Sequence, residues 1–191
     1  MVSVMSSSES QRKKIHPHKF TLWVAMGSII MMFAGLTSAY IVKSNQPKWL
    51  TFDMPGLFWY STAVILLSSL TMQMALNEFR NRGMAKYRNL VTVTLILGTL
   101  FIVLQCMGFS QLWKTGITLT GSGAAPFMYI IFGLHGLHVL GGVIALLVIF
   151  LQAFSSRRRN YNPVPVEVIS TYWHFVDILW VYLFIFFLWI Q

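Results

Sequence analysis

The chain has 191 residues, of which 56% are hydrophobic and 10% are charged, and its formal net charge is +9. This composition is too apolar for an ordinary soluble domain, and the long apolar runs indicate an integral membrane protein. We expect no nucleic-acid partner, because membrane topology and contact with anionic lipid headgroups account for the positive charge.

Five apolar runs follow a basic, serine-rich segment. Residues 1–19 are predicted to form a cytoplasmic tail. The runs then span residues 20–42, 56–77, 90–113, 126–154 and 166–191. Each meets the requirement of roughly 20 residues for a helix that crosses a hydrocarbon core of about 30 Å. The predicted fold class is therefore all-α, a polytopic membrane protein with five transmembrane helices over residues 20–191. The short connections predict that consecutive helices pack as antiparallel neighbours.

The basic residues predict the orientation of this bundle. Eleven of the fourteen lysines and arginines lie in the tail, in the connection after the second run or in the connection after the fourth run. The other three are Lys43, Lys48 and Lys114. By the positive-inside rule, the N-terminus is cytoplasmic and the C-terminus is periplasmic.

Polar residues within the last two runs are the candidates for function. His135 and His138 share one face of the fourth helix, as His174 and Asp177 share one face of the fifth. Glu167 precedes His174 by seven residues, which is two helical turns or about 10.5 Å along the axis. Ionisable groups at membrane depth usually face protein, water or a partner. We therefore expect these five residues to form a polar seam between the two helices, with possible contact to a lipid headgroup.

Three roles of such a seam compete at this stage. A membrane b-type cytochrome would use the histidines as axial haem ligands, and a transporter would use the ionisable groups as a proton or ion pathway. The favoured alternative is structural, with hydrogen bonds across the two helices that fix their register. The lone Cys106 forms no internal disulfide, and no catalytic, cofactor-binding or metal site is expected in this chain.

Two sequence motifs on consecutive helices resemble a known family. The strings are HGLHVLGG at residues 135–142 and YWHFVDILWVYLF at residues 172–184. Together with Glu167 and the Leu104-Gln105 step, they are similar to the signature regions of subunit III of haem-copper cytochrome c oxidases. The likeness extends from the first helix to the end of the chain, and the helix count matches the short, five-helix form of the family.

The resemblance implies an accessory, non-catalytic subunit without a redox centre of its own. Members of this family pack against subunit I, which carries the haems and copper, bind phospholipid and support sustained proton uptake during electron transfer from cytochrome c to oxygen. The expected location is the bacterial inner (plasma) membrane, with other oxidase subunits or a larger respiratory supercomplex as partners.

The chain departs from the family pattern at two positions. Many members carry a glutamate in the first of these helices, where this chain has Ile29, and an acidic residue late in the third helix, near Gly108. A proton-antenna role of those groups is not expected here. Subunit III of a quinol oxidase and the subunit III-like protein associated with nitric oxide reductase remain the alternatives.

Overall fold

Five long helices make up the described part of the chain. The computed structural model describes residues 17–44, 56–114, 125–154 and 163–190. The helices are α1 (Pro17–Ser44), α2 (Leu57–Arg80), α3 (Met84–Lys114), α4 (Ala125–Phe154) and α5 (Val164–Trp189). All five are long and apolar enough to cross a membrane. The prediction of an all-α protein with five membrane-spanning helices is confirmed.

The helix ends differ from the predicted ones by a few residues. α1 begins at Pro17 and so includes the last three residues of the predicted tail. α3 begins at Met84, six residues before the predicted start, because a tight turn follows α2. Residues 1–16 of the tail, Lys48 and the basic residues 157–159 lie outside the described residues.

The turn between α2 and α3 closes with two reverse hydrogen bonds. The Gly83 N–H donates to the Glu78 carbonyl at 2.9 Å, and the Arg82 N–H donates to the Phe79 carbonyl at 3.1 Å. This is the Schellman pattern of helix ends. Its left-handed position is held by Arg82 at a φ of 60°. α2 and α3 therefore form a tightly packed helical hairpin.

α5 occupies the centre of the bundle. It packs against α1, α2 and α4, while α3 lies between α2 and α4. Two prolines, Pro163 and Pro165, set the start of α5, where a missing N–H costs least. The core is mostly apolar and aromatic, with Trp173 and Trp180 of α5 among its largest fully buried side chains. The side chains of α5 therefore decide how the other helices are arranged.

The prediction that all consecutive helices are neighbours is wrong for the first pair. Within the described residues, α1 contacts α4 and α5 but not α2. The reason lies in its buried face: Phe33 contacts the rings of His135 and His138 on α4, and the Tyr40 ring packs against Phe187 on α5. α1 thus binds the bundle on the α4–α5 side.

Candidate functional site

Glu167 joins three helices near the start of α5. Its Oε2 lies 2.7 Å from the Lys19 Nζ on α1, and its Oε1 lies 3.0 Å from the Arg80 Nη2 on α2. The Glu167 side chain is 20% exposed to solvent, whereas the side chains of Lys19 and Arg80 are 40% and 54% exposed. One carboxylate therefore ties two otherwise separate helices to α5, and this charged cluster of Lys19, Glu167 and Arg80 carries one net positive charge.

His174 binds α2 through both ring nitrogens. Its Nδ1 lies 2.6 Å from the Ser69 Oγ, and its Nε2 lies 3.2 Å from the Gln73 Oε1. An amide oxygen can only accept, so Nε2 carries a hydrogen and donates to Gln73. In a neutral ring, Nδ1 then accepts the hydroxyl proton of Ser69. The imidazole is half-buried, and its contacts connect α5 to α2 rather than to α4.

Asp177 is almost completely buried on the same face of α5. The residue is 2% exposed, and neither carboxyl oxygen has a hydrogen bond of standard geometry with the described residues. Within the described residues, no cation forms a salt bridge with this carboxyl either.

The two histidines of α4 have mainly aromatic surroundings. His135 is 1% exposed, and its ring centroid lies 5.3 Å from that of Trp180. Neither of its nitrogens has a hydrogen-bond partner among the described residues. His138 places its Nδ1 2.7 Å from the Leu134 carbonyl, so this nitrogen donates within its own helix.

The structure does not bring the five predicted residues together in one seam between α4 and α5. Glu167 binds α1 and α2, His174 binds α2, and the α4 histidines contact rings or their own helix. The hydrogen bond that joins α4 to α5 near the motifs comes from the Tyr172 hydroxyl, which donates to the His138 carbonyl at 3.0 Å. Residues seven apart on α5 do share a face, but α2 lies opposite that face. Lipid contact at these residues stays a prediction.

Sequence reasoning missed the polar residues of α2 that receive the α5 side chains. The Trp173 indole N–H donates to the Ser68 Oγ at 3.2 Å, and the Trp180 indole N–H donates to the Thr62 Oγ1 at 3.0 Å. The signal in the sequence was the recurrence of neighbouring hydroxyl residues seven positions apart on α2, at 61–62 and 68–69. Hydroxyl side chains at such spacing lie on one face of a membrane helix and bond a neighbouring helix.

Two glycines accommodate the Trp173 ring between α3 and α4. A Cβ added at Gly98 on α3 would lie 2.8 Å from Trp173 Cη2, and one added at Gly142 on α4 would lie 2.9 Å from Trp173 Cε3. Contacts this short require the indole or a helix to move. Trp173 and these glycines thus fix the distance between α5 and its neighbours.

The positions where the chain departs from the family pattern lie in apolar surroundings. Ile29 is partly buried against the hydrophobic core. Gly108 is buried, and a Cβ there would lie 3.2 Å from the Phe58 ring. These positions serve packing in this chain.

The described residues show no cluster suited to a metal ion. Within the four described ranges, no three His, Cys, Asp or Glu side chains come together in a way that could hold one. His135 contacts the Trp180 ring of α5, whereas His174 binds α2. These two imidazoles therefore lie in different parts of the bundle.

The fold and the polar contacts define a five-helix integral membrane protein whose central helix is α5. Residues 18–191 match the family described as Cytochrome c oxidase subunit III. The chain belongs to this family. The resemblance inferred from the two motifs is confirmed.

Curated relatives have similar length and are aligned over most of the chain. A probable cytochrome c oxidase subunit 3 of Nocardia farcinica is 32% identical over 183 residues, covering 90% of each chain. The cytochrome c oxidase subunit 3 of Bacillus sp. (strain PS3) is 29% identical, covering 85% of this chain and 80% of the relative. The cytochrome bo(3) ubiquinol oxidase subunit 3 of Buchnera aphidicola is 26% identical, covering 86% and 87%. The similarity thus extends to relatives named for two different electron donors.

Proposed function

We propose that this chain is the accessory subunit III of a proton-pumping haem-copper oxidase that transfers electrons from cytochrome c to oxygen. In this role the chain takes no part in the chemistry. It stabilises the catalytic subunit, binds phospholipid and sustains proton uptake. Its partners are subunit I, which carries haem and copper, and the other oxidase subunits in the bacterial inner membrane or in a larger respiratory supercomplex.

The observation that carries this proposal is the family match over residues 18–191. The internal contacts support an architectural role. His174, Trp173 and Trp180 all bond hydroxyl or amide groups of α2, and Glu167 is neutralised by two cations. These polar groups stabilise the association of the helices with one another. Such contacts are consistent with an accessory subunit whose role is structural.

The surface of the bundle supports a partner in the membrane. Large apolar side chains are exposed on every helix, including Trp23 at 64%, Leu70 at 62% and Ile178 at 69%. The charged cluster adds exposed Lys19 and Arg80 groups near one end of the helices, where a lipid phosphate can be bound. With the N-terminus cytoplasmic, this end faces the cytoplasm.

Copurification from native membranes tests the proposal. An affinity tag on this chain should recover a haem-containing subunit I together with oxygen consumption, and mass spectrometry should identify the other oxidase subunits. The chain expressed alone should show no Soret band in its visible spectrum. Recovery without any oxidase subunit, or a stoichiometric haem in the isolated chain, contradicts the proposal.

A quinol oxidase is the second candidate function. The relative from Buchnera aphidicola favours it, because that protein is named as a subunit of a ubiquinol oxidase. The recovered complex separates the two candidates when it is supplied with reduced cytochrome c or with a quinol. Oxygen consumption with cytochrome c alone supports the first candidate, and consumption with quinol alone supports the second.

A further inference from the structure

An open groove runs along α5 between α1 and α2. Both of these helices pack against α5, but they do not contact each other within the described residues. Glu167 marks the face of α5 that lies between them, because its carboxylate binds Lys19 of α1 and Arg80 of α2. The described residues therefore leave a strip of the central helix uncovered.

The floor of this groove continues along most of α5. Ile178 and Ile185 follow Glu167 by about three and five helical turns, so they share its face. The two isoleucines are 69% and 59% exposed. On one side of this strip Tyr182 bonds α1, and on the other side His174 bonds α2. The strip from Glu167 to Ile185 is about 27 Å long, which is close to a hydrocarbon core of about 30 Å.

The α2 wall of the groove carries a polar side chain at membrane depth. Gln73 is exposed, and it lies about 10.5 Å along the helix from Arg80. Its Oε1 lies 3.2 Å from the His174 Nε2, whereas its amide nitrogen has no hydrogen bond within the described residues. Leu70 and Leu66, about one and two turns further along this wall, are 62% and 47% exposed. The wall is thus polar near the charged cluster and apolar beyond it.

A phospholipid would match only part of this pattern. Its phosphate can bind the charged cluster, but at the depth of Gln73 it presents acyl chains, which accept no hydrogen bonds. One lipid also reaches only about half of a hydrocarbon core of about 30 Å, whereas the groove stays open as far as Ile185. Polar groups within a membrane span usually face protein or water. A transmembrane helix can supply both a hydrogen-bond acceptor at that depth and apolar contacts along the remaining length.

We propose that this groove is the docking site of one transmembrane helix from a different subunit of the complex. The inference rests on the proposed function, which places the chain in a membrane complex. The docked helix presents a side-chain oxygen that accepts from the Gln73 amide, and its apolar residues pack on Ile178 and Ile185. Because the charged cluster carries one net positive charge, an acidic residue about two turns from that acceptor complements it.

Photocrosslinking within the purified native complex tests this docking site. A benzophenone side chain placed in turn at Ile178 and at Ile185 should form adducts with one transmembrane segment of a different subunit, which mass spectrometry identifies. The two adducts should lie about seven residues apart in that segment, because the two positions are about 10.5 Å apart along α5.

Leu137 of α4 provides the matched control. It is 64% exposed, nearly as much as Ile178, but it belongs to a helix that does not line the groove. A benzophenone at this position should give no adduct with the segment captured from α5. If the bulky probe at Ile178 prevents assembly, Ile178→Cys combined with Cys106→Ser allows a thiol-reactive crosslinker to be attached after assembly, and the same segment should be captured.

Three outcomes would overturn the inference. They are adducts with lipid or with this chain alone, adducts of the two α5 positions in unrelated segments, and capture of the same segment from Leu137. If the complex contains oxidase subunits but both α5 positions yield only lipid adducts, the docking inference fails and the proposed function stands. Copurification without any oxidase subunit would instead contradict the proposed function.

Discussion

Helices α1 and α5 are similar in length and in their apolar character but have opposite positions in the bundle. Within the most apolar stretch of each, 50% of the α5 residues are buried against 17% in α1. The backbone of α5 lies close to α1, α2 and α4, and its Trp173 and Trp180 rings also reach α3, whereas α1 lies close to α4 and α5 alone among the described helices. Apolar content therefore determines that a helix crosses the membrane, whereas its aromatic and hydrogen-bonding residues determine how closely it packs.

The contacts of the two helices differ in kind. α5 inserts the Trp173 ring between two glycines and bonds its indole to Ser68. α1 is attached by the rings of Phe33 and Tyr40, by the Thr37 hydroxyl and by Lys19. Lipid is as apolar as a leucine side chain, so close packing and hydrogen bonds drive the association of membrane helices. We expect substitutions around α5 to have larger effects than substitutions on α1.

The largest effect is expected for Gly142→Ala. The added Cβ would lie 2.9 Å from Trp173 Cε3, and overpacking of this kind typically costs about 1–3 kcal/mol. When the purified complex is heated, the variant subunit should unfold at a lower temperature than the wild type. Loss of this subunit from the complex is the measured signal. Gly98→Ala should act in the same direction from the α3 side.

Gly136→Ala is the matched control for this substitution. It is on the same helix as Gly142, but an added Cβ meets no atom within 4 Å. Because alanine has a higher helix propensity than glycine, we expect the unfolding temperature of the complex to be unchanged or slightly higher. Equal destabilisation by Gly136→Ala and Gly142→Ala would refute the role of Trp173 as a close-packed centre.

The number and type of the helices could be predicted from the sequence because bilayer thickness sets the length of an apolar span. The extents of α2 and α3 were less predictable. Their ends carry polar residues such as Arg80 and Tyr87, and a Schellman turn continues both helices almost to Arg82. The apolar run therefore predicts which residues cross the membrane, whereas the residue at which each helix ends depends on the geometry of the turn.

The candidate site was only partly predictable. Periodicity predicts that Glu167, His174 and Asp177 share one face of α5, but it carries no information about which helix lies opposite. Trp173 packs between Gly98 of α3 and Gly142 of α4 and donates to Ser68 of α2, and spacing within one helix cannot encode a contact with three other helices. The partners Ser69 and Gln73 were therefore found only in the structure.

An intermediate effect is expected when the charged cluster is broken by Glu167→Gln. The change leaves Lys19 and Arg80 facing each other without the carboxylate that neutralises them. Since both cations are partly exposed, each pair contributes about 0.2–1 kcal/mol. Unfolding measured at low and high salt should show a loss of stability that shrinks as salt screens the charges.

Glu78→Gln provides the control for net charge. Glu78 lies near the same end of the bundle and is in no salt bridge with the described residues. We expect its substitution to have little effect on stability at either salt concentration. A comparable loss of stability in both variants would mean that the change in net charge explains the result, and that the salt bridges from Glu167 to α1 and α2 do not.

The smallest effect is expected for the polar contact between α1 and α5. The Thr37 Oγ1 lies 3.0 Å from the Tyr182 hydroxyl, and bonds of this type in membranes contribute about 0.6 kcal/mol on average. A double-mutant cycle with Thr37→Val and Tyr182→Phe isolates this term, because Thr37 also bonds the Phe33 carbonyl of its own helix. If the coupling energy instead matched the loss caused by Gly142→Ala, α1 would be held as firmly as α5. The contrast between a close-packed centre and a loosely attached outer helix would then fail, since a single hydroxyl pair would contribute as much as the fit of the buried indole.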